Sequence, residues 1–204
     1  MPTTTHLTSE IGRTDSVVER DLAGGLAPGE VVADVEFDGC TFTGNQWERA
    51  RLTRCTFTEC VFVGVNASMV DLTDTRLVGA RFERCKLLAV NFAALGARAL
   101  AADPLRFVDC RLDLAGFQGV DLEGVVFERC SLREADFAEA VLRGASFEGS
   151  DLAGATFGRT DLRGADLSGA TAYAFDVRDN RVGGLRVEPT EAARLLQVLG
   201  LRVE

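Results

Sequence analysis

An all-β solenoid is the fold class this sequence predicts. Three observations carry it: an apolar residue at every fifth position, a column of small residues two places before it, and glycine two places after it. Stepping by five from Phe37, the chain reads Phe42, Trp47, Leu52, Phe57, Phe62, Ala67, Leu72, Leu77, Phe82, Leu87 and Phe92. It passes through Ala97 and Ala102 and resumes at Phe107, Leu112, Phe117, Leu122, Phe127, Leu132, Phe137 and onward to Val187 without a polar residue. A helix repeats every 3.6 residues and a flat strand every two, so neither keeps a five-residue spacing on one face. A coil that turns a corner every five residues does.

The small column includes Cys40, Ala50, Cys55, Cys60, Val65, Cys85, Cys110, Ala115, Cys130, Ala135, Ala140 and Ala145. Each pentad therefore sends one large and one small side chain inward. Glycines such as Gly39, Gly44, Gly144, Gly149 and Gly154 stand two places after the large residue, where a turn recurs at every side.

In chain order, residues 1–30 lack the five-residue pattern and read as a mobile tail followed by an N-terminal cap. Residues 31–188 form the solenoid. Within it, residues 93–105 (AALGARALAADPL) put alanine where Phe or Leu belongs and leucine in the small column. They read either as a short loop or helical excursion or as two weak pentads. If the segment leaves the rod, ten skipped residues rotate the later faces by two sides. Residues 189–204 change period: Thr190 after Pro189 is a candidate N-cap, Gly200 a stop signal, and Ala192, Leu195, Leu196 and Leu199 a helical stripe. That helix caps the last coil, or caps it and also forms a twofold dimer interface.

Composition narrows the chemistry. His6 is the single histidine, which all but removes histidine catalysis. The apolar runs are too short for a membrane helix, and no leader pattern opens the chain, so a cytoplasmic location is expected. All six cysteines lie in the inward small column, alongside Ala, Val and Thr at equivalent positions. They read as reduced packing residues, not as disulfides or a zinc site. No nucleophile motif or phosphate-binding glycine loop is present. Asp121 and Glu123 could form an acid and base pair, but an exposed solenoid edge has no apolar pocket to separate their pKa values. A non-enzyme without cofactor or metal is the expectation.

Net charge is −9, with 31 acidic and 22 basic residues, which argues against direct binding to nucleic acid or an anionic membrane. Residues 31–112 and 152–188 are each neutral. Residues 113–151 hold Asp113, Asp121, Glu123, Glu128, Glu134, Asp136, Glu139, Glu148 and Asp151 against Arg129, Arg133 and Arg143. Over two coils this is about one net charge per 1.6 Å of axis, close to duplex DNA. Such a patch either keeps the rod soluble or binds a basic partner.

The run ADFAEAVLRGASFEGSDLAGATFGRTDLRGADLSGA (residues 135–170) resembles the pentapeptide-repeat family, and the likeness extends over about residues 35–187. The resemblance implies a right-handed quadrilateral β-helix with about 20 residues per coil. At strand spacing the pentads would make roughly eight coils and a rod about 37 Å long. An acidic rod followed by a C-terminal helix is similar to the mycobacterial fluoroquinolone-resistance branch of that family. That likeness implies a DNA mimic whose partner is DNA gyrase or a related type II topoisomerase, which it inhibits or protects from a poison such as a fluoroquinolone. It further implies a homodimer through the C-terminus, with Leu195, Leu196, Val198, Leu199 and Leu201 at the interface and the nine carboxylates above as the partner-binding face. The alternative is a non-catalytic scaffold for an unrelated protein partner.

Overall fold

The computed structural model describes residues 5–11, 14–95 and 104–203. The chain winds as a four-sided β-solenoid closed at its C-terminal end by one short helix. Every connection between neighbouring coils is parallel, and the coils stack at a 20-residue step: Phe37 on Phe57 and Leu77, Phe42 on Phe62 and Phe82. Among the described residues, each member of the five-residue column from Phe37 to Leu167 points into the rod, as do most of the small companions, whereas Ala172 takes a left-handed corner (φ 62°) and Tyr173 and Phe175 are buried beside it.

The corner residue explains the glycines. Two places after the inward residue the backbone enters the left-handed region, with φ 64° at Gly44 and 63° at Gly144. Other residues occupy the same position where glycine is missing, among them Arg54 (φ 53°), Met69 (φ 54°) and Leu114 (φ 62°). Left-handed backbone at each fifth residue is what turns the chain through a corner, and it disfavours any residue with a Cβ.

Pentads come in two backbone forms. In one, three residues form a short strand, as in Thr41–Thr43, Thr56–Thr58 and Val126–Glu128. In the other, the corner is closed by a hydrogen bond from the small residue's N–H to the large residue's carbonyl, as in Ala140 to Phe137 at 3.1 Å and Ala145 to Leu142 at 3.1 Å. All six cysteines follow a strand-type pentad. Each thiol donates to a carbonyl in the coil below, for example Cys60 Sγ to Phe37 O at 3.5 Å and Cys130 Sγ to Phe107 O at 3.4 Å. Thr75, Ser150 and Thr160 donate their hydroxyls in the same way. The cysteines are free and buried, and burial pushes the Cys55 thiol above its ordinary range. Their equivalence to alanine is corrected here: they satisfy backbone groups that an apolar residue would leave unpaired.

Two ladders of stacked rings fill the core. Phe42, Phe62, Phe82, Phe107, Phe127 and Phe147 stack along one face with centroids 4.6 to 5.2 Å apart. Phe92, Phe117, Phe137 and Phe157 stack along the opposite face. The two meet edge to face, as Phe127 does with Phe137 at 5.9 Å.

The segment at 93–105 interrupts the 20-residue step. Phe92–Ala94 form a single 3-10 turn capped by Asn91, residues 96–103 lie outside the described residues, and the rod resumes at Arg106–Val108. Phe82 then pairs with Phe107 and Asn91 with Gly116, a step of 25. The faces are thus displaced by one pentad, not two. Phenylalanine stacks on phenylalanine through this junction, whereas a 20-residue step would set Phe82 beside Ala102.

Both ends differ from expectation. The solenoid begins before residue 31: Ser16–Val18 pairs with Glu36–Asp38 and Leu22 with Phe42, because Val17 and Leu22 already stand in the five-residue register and are buried. A short helix, Leu7–Ile11, precedes this coil and buries Leu7. At the other end the helix spans Pro189–Val198 and its N-cap is Glu188, not Thr190. Proline at the first helical position needs no N–H partner. Gly200 (φ 82°) ends the helix, with Gly200 N–H bonded to Gln197 O and Leu201 N–H to Leu196 O, a Schellman closure.

Candidate interaction surfaces

Four flat faces are named here by one central residue each. The Phe82 face continues through Phe107, Phe127 and Phe147, the Leu87 face through Leu112, Leu132 and Leu152, the Phe92 face through Phe117, Phe137 and Phe157, and the Leu77 face through Leu122, Leu142 and Leu162. Residues flanking these centres point outward, and the left-handed residues form the corners.

The nine carboxylates of residues 113–151 do not share a face. Glu128 and Glu148 lie on the Phe82 face, Asp113, Glu134 and Asp151 on or at the corner of the Leu87 face, Asp136 and Glu139 on or at the corner of the Phe92 face, and Asp121 and Glu123 on the Leu77 face. Twenty residues make one circuit, so a window of two circuits distributes its charge around the rod. The single acidic face is corrected to an acidic girdle.

Arginine on adjacent coils tempers it. Arg106 holds Glu128 at 2.9 Å, Arg129 bridges Glu128 and Asp109, Arg143 holds Glu123, Arg159 holds Glu139, and Arg133 holds Asp151 at 3.0 Å. Arg111 holds Asp113 at 3.3 Å. Arg106, Arg111 and Arg159 lie outside the acidic window in sequence but against it in space. Hydrogen bonds from Arg129 hold the Glu128 carboxyl below its usual range. Asp121, Glu134, Asp136 and Glu148 have no ion-pair partner among the described residues. Asp121 accepts from the Glu123 backbone N–H at 3.2 Å, and the Glu123 carboxylate is engaged by Arg143.

Linear counting also missed a cation-free stretch. Glu19, Glu36, Asp38 and Glu59 cluster on the Leu77 face and its corner over the first three coils, with no ion-pair partner among the described residues. Because the arginines of those coils lie elsewhere around the circuit, residues 31–112 read as neutral.

An open groove of about 490 Å³ near the C-terminal end is lined by Glu139, Arg159, Asp161, Arg178, Asp179 and Arg181. Arg159 pairs with Glu139 and Arg181 with Asp161 inside it, while Arg178 pairs with Asp176 and Asp161 also with Arg163 outside the lining. No cluster of three or more metal-ligating side chains occurs among the described residues. None of the described helices is long and apolar enough to cross a membrane.

Of the residues expected at a dimer interface, Leu195 is buried against the rod within one chain and Leu199 is half-buried. Leu195 is therefore a cap residue. Leu196, Val198 and Leu201 are exposed, as is Val203.

A stack of parallel four-sided coils with left-handed corners and one inward pair per pentad defines the class: a quadrilateral β-helix. The chain carries pentapeptide repeats: the family model of that description, "Pentapeptide repeats", matches residues 36–74 and 130–169 in 8 copies. Among solved structures it is similar to trypsin-treated QnrB1, a plasmid-mediated fluoroquinolone resistance protein (TM-score 0.51, 22% identity, 93% of this chain and 90% of that chain). It is also similar to HetL from Nostoc sp. strain PCC 7120, a pentapeptide-repeat protein involved in heterocyst differentiation regulation (TM-score 0.50, 15% identity, 89% of this chain and 91% of that chain). At these identities the likeness establishes the fold. No curated protein matches the sequence.

Proposed function

We propose that this chain is a non-catalytic interaction scaffold that imitates duplex DNA, and that its partner is the DNA-binding groove of a type II topoisomerase, DNA gyrase in the first instance. The observation that carries this reading is the girdle: between residues 113 and 151 carboxylates occupy all four faces of the rod. Duplex DNA also offers negative charge around its whole circumference, and a concave basic groove contacts several sides of such a rod at once. A partner that docked on one flat face would leave most of this charge unused. The exposed Leu196, Val198, Leu201 and Val203 at the C-terminal end support a second proposal, that two chains join end to end and lengthen the acidic rod.

The test is gyrase supercoiling and gyrase binding at low salt, with and without a fluoroquinolone and with duplex DNA as competitor. Binding that weakens steeply with salt and is displaced by DNA supports the reading; no binding at low salt removes it. Asp121→Arg with Glu148→Arg should weaken binding more than Asp21→Arg with Asp74→Arg, which changes net charge equally outside the girdle. Equal losses from the two pairs would reduce the effect to net charge and defeat the assignment of the girdle.

A further inference from the structure

The corner between the Leu87 and Phe92 faces carries an apolar ridge with a palindromic charge pattern. Backbone bonds stack Arg49, Met69, Ala89, Leu114 and Glu134 in one column: Arg49 N–H to Ser68 O, Met69 N–H to Leu88 O, Ala89 N–H to Asp113 O and Leu114 N–H to Arg133 O, all within 3.0 Å. Met69 is 41% exposed and Leu114 57%, although both adopt the left-handed backbone that favours glycine. Leu88, half-buried, adjoins Ala89. Large apolar side chains at two corners that favour glycine, Met69 and Leu114, with Ala89 and the half-buried Leu88 on the coil between them, form a patch without a partner among the described residues.

The coils at the two ends of the ridge invert each other's charge. On the first stand Glu48, Arg49 and Arg51; on the last, at the matching pentad positions, stand Arg133, Glu134 and Asp136. Glu48, Arg49 and Glu134 have no ion-pair partner among the described residues. Asp136 meets only neutral donors, Thr156 Oγ1 at 2.8 Å and Ala138 N–H at 2.9 Å. Arg51 and Arg133 already hold Asp71 and Asp151, at 3.2 and 3.0 Å, so further carboxylates there would extend existing pairs.

We propose that this ridge is an interface between two copies of the chain, laid antiparallel and corner to corner about a twofold axis at Ala89. That axis sets Arg49 against Glu134 of the second copy, Glu48 against its Arg133 and Arg51 against its Asp136, with Met69 on Leu114 and Leu88 on Leu88 between them. Each unlike contact then occurs twice, as an isologous interface requires. A parallel arrangement would set Arg49 against Arg49 and Glu134 against Glu134. Only the antiparallel orientation opposes unlike charges at all three positions, and the contact is separate from the C-terminal end but covers Glu134 and Asp136, two carboxylates of the girdle.

Sedimentation of the full chain carrying Leu196→Asp and Val198→Asp, which silences end-to-end contact, tests the ridge, with circular dichroism to confirm folding. A concentration-dependent dimer is expected. Arg49→Glu should weaken it about tenfold by setting carboxylate against carboxylate at both symmetric sites, and Arg49→Glu with Glu134→Arg should restore it. Under mild oxidation, Ala89→Cys should cross-link as a disulfide dimer much faster than Gly64→Cys, which stands at the corner after Phe62 with open space around its Cβ. A chain that stays monomeric at every concentration, a double reversal that restores nothing, or equal cross-linking at the two corners overturns the proposal. Gyrase binding is not read in any of these arms.

Discussion

The coils before residue 95 and those after residue 104 solve the same five-residue problem with different backbones. The earlier coils use mainly short strands, and four of the six cysteines lie there, at Cys40, Cys55, Cys60 and Cys85. The later coils use mainly corners closed by a hydrogen bond, with Ala135, Ala140, Ala145, Ala155, Ala165 and Ala170 in the same inward column. A closed corner satisfies its own N–H and carbonyl, so a methyl group suffices inside. An open corner leaves these groups to the neighbouring coil: the Cys55 N–H bonds to Thr75 Oγ1, and the Cys130 N–H to Ser150 Oγ. The difference teaches that the small column is a hydrogen-bond ladder where it borders an extended coil and a space-filler where the coils around it are closed.

Both regions share the ring ladders, so the largest expected effect ignores the difference between them. Phe137→Ala should lower stability by about 3–5 kcal/mol in urea unfolding, and Phe127→Asp should abolish soluble folding. A loss well under this from Phe137→Ala would mean that the rings are not the common core. The next effect is specific to the open corners. Thr75→Val keeps shape but strands Leu52 O and Cys55 N–H, and should cost about 2 kcal/mol, while Thr75→Ser should recover most of it. If valine is neutral there, the hydrogen-bond ladder is not what distinguishes the regions.

A smaller gain is expected where the ladder is broken. Asn45 follows a strand-type pentad, is fully buried, and has no partner for its side-chain amide. Asn45→Cys should stabilise the rod by about 1 kcal/mol, read as a higher denaturation midpoint with unchanged slope. Ala67, beside Trp47, lines an apolar void of about 30 Å³, and Ala67→Val should add a similar or smaller gain. Loss of stability from Asn45→Cys would show that the open corner at that level does not work like the others.

The smallest effect concerns the ion pairs between and along coils. Hydrogen bonds from Arg178 hold the Asp176 carboxyl at about 2 against an ordinary 3.8, and hydrogen bonds from Arg129 and Arg54 depress Asp109 and Asp34. A carboxylate lowered in the folded state adds stability above its unfolded pKa and loses it as pH falls through the folded value. A modest decline in urea midpoint is therefore expected between about pH 4 and pH 2, and Arg129→Met should flatten part of it. No change in that interval would leave these exposed pairs without a share in stability.

Much of this architecture was legible because each pentad repeats the same local decision. The inward columns, the glycine corners and the existence and end of the C-terminal helix follow from Phe37, Ala135, Gly144 and Gly200 and their fixed offsets. The first coil was obscured because Val17 and Leu22 are flanked by a stretch in which Leu26, not Ala27, is the buried residue. The role of Leu195 was hidden because a helical stripe shows which side is apolar but not whether the chain's own last coil covers it.

By itself the sequence determined the period, the side of each residue that faces inward, and the need for a coil that turns at every fifth position. Only the tertiary structure decided which residues are neighbours across coils. It set the 25-residue step that keeps Phe82 on Phe107, gave the cysteines their carbonyl partners, and spread the charge of residues 113–151 around four faces while gathering Glu19, Glu36, Asp38 and Glu59 on one. The physical reason is that a five-residue pattern is local, fixed by backbone geometry and burial, whereas charge and hydrogen-bond partners are matched between positions about a full circuit apart, and one inserted pentad reassigns every match beyond it.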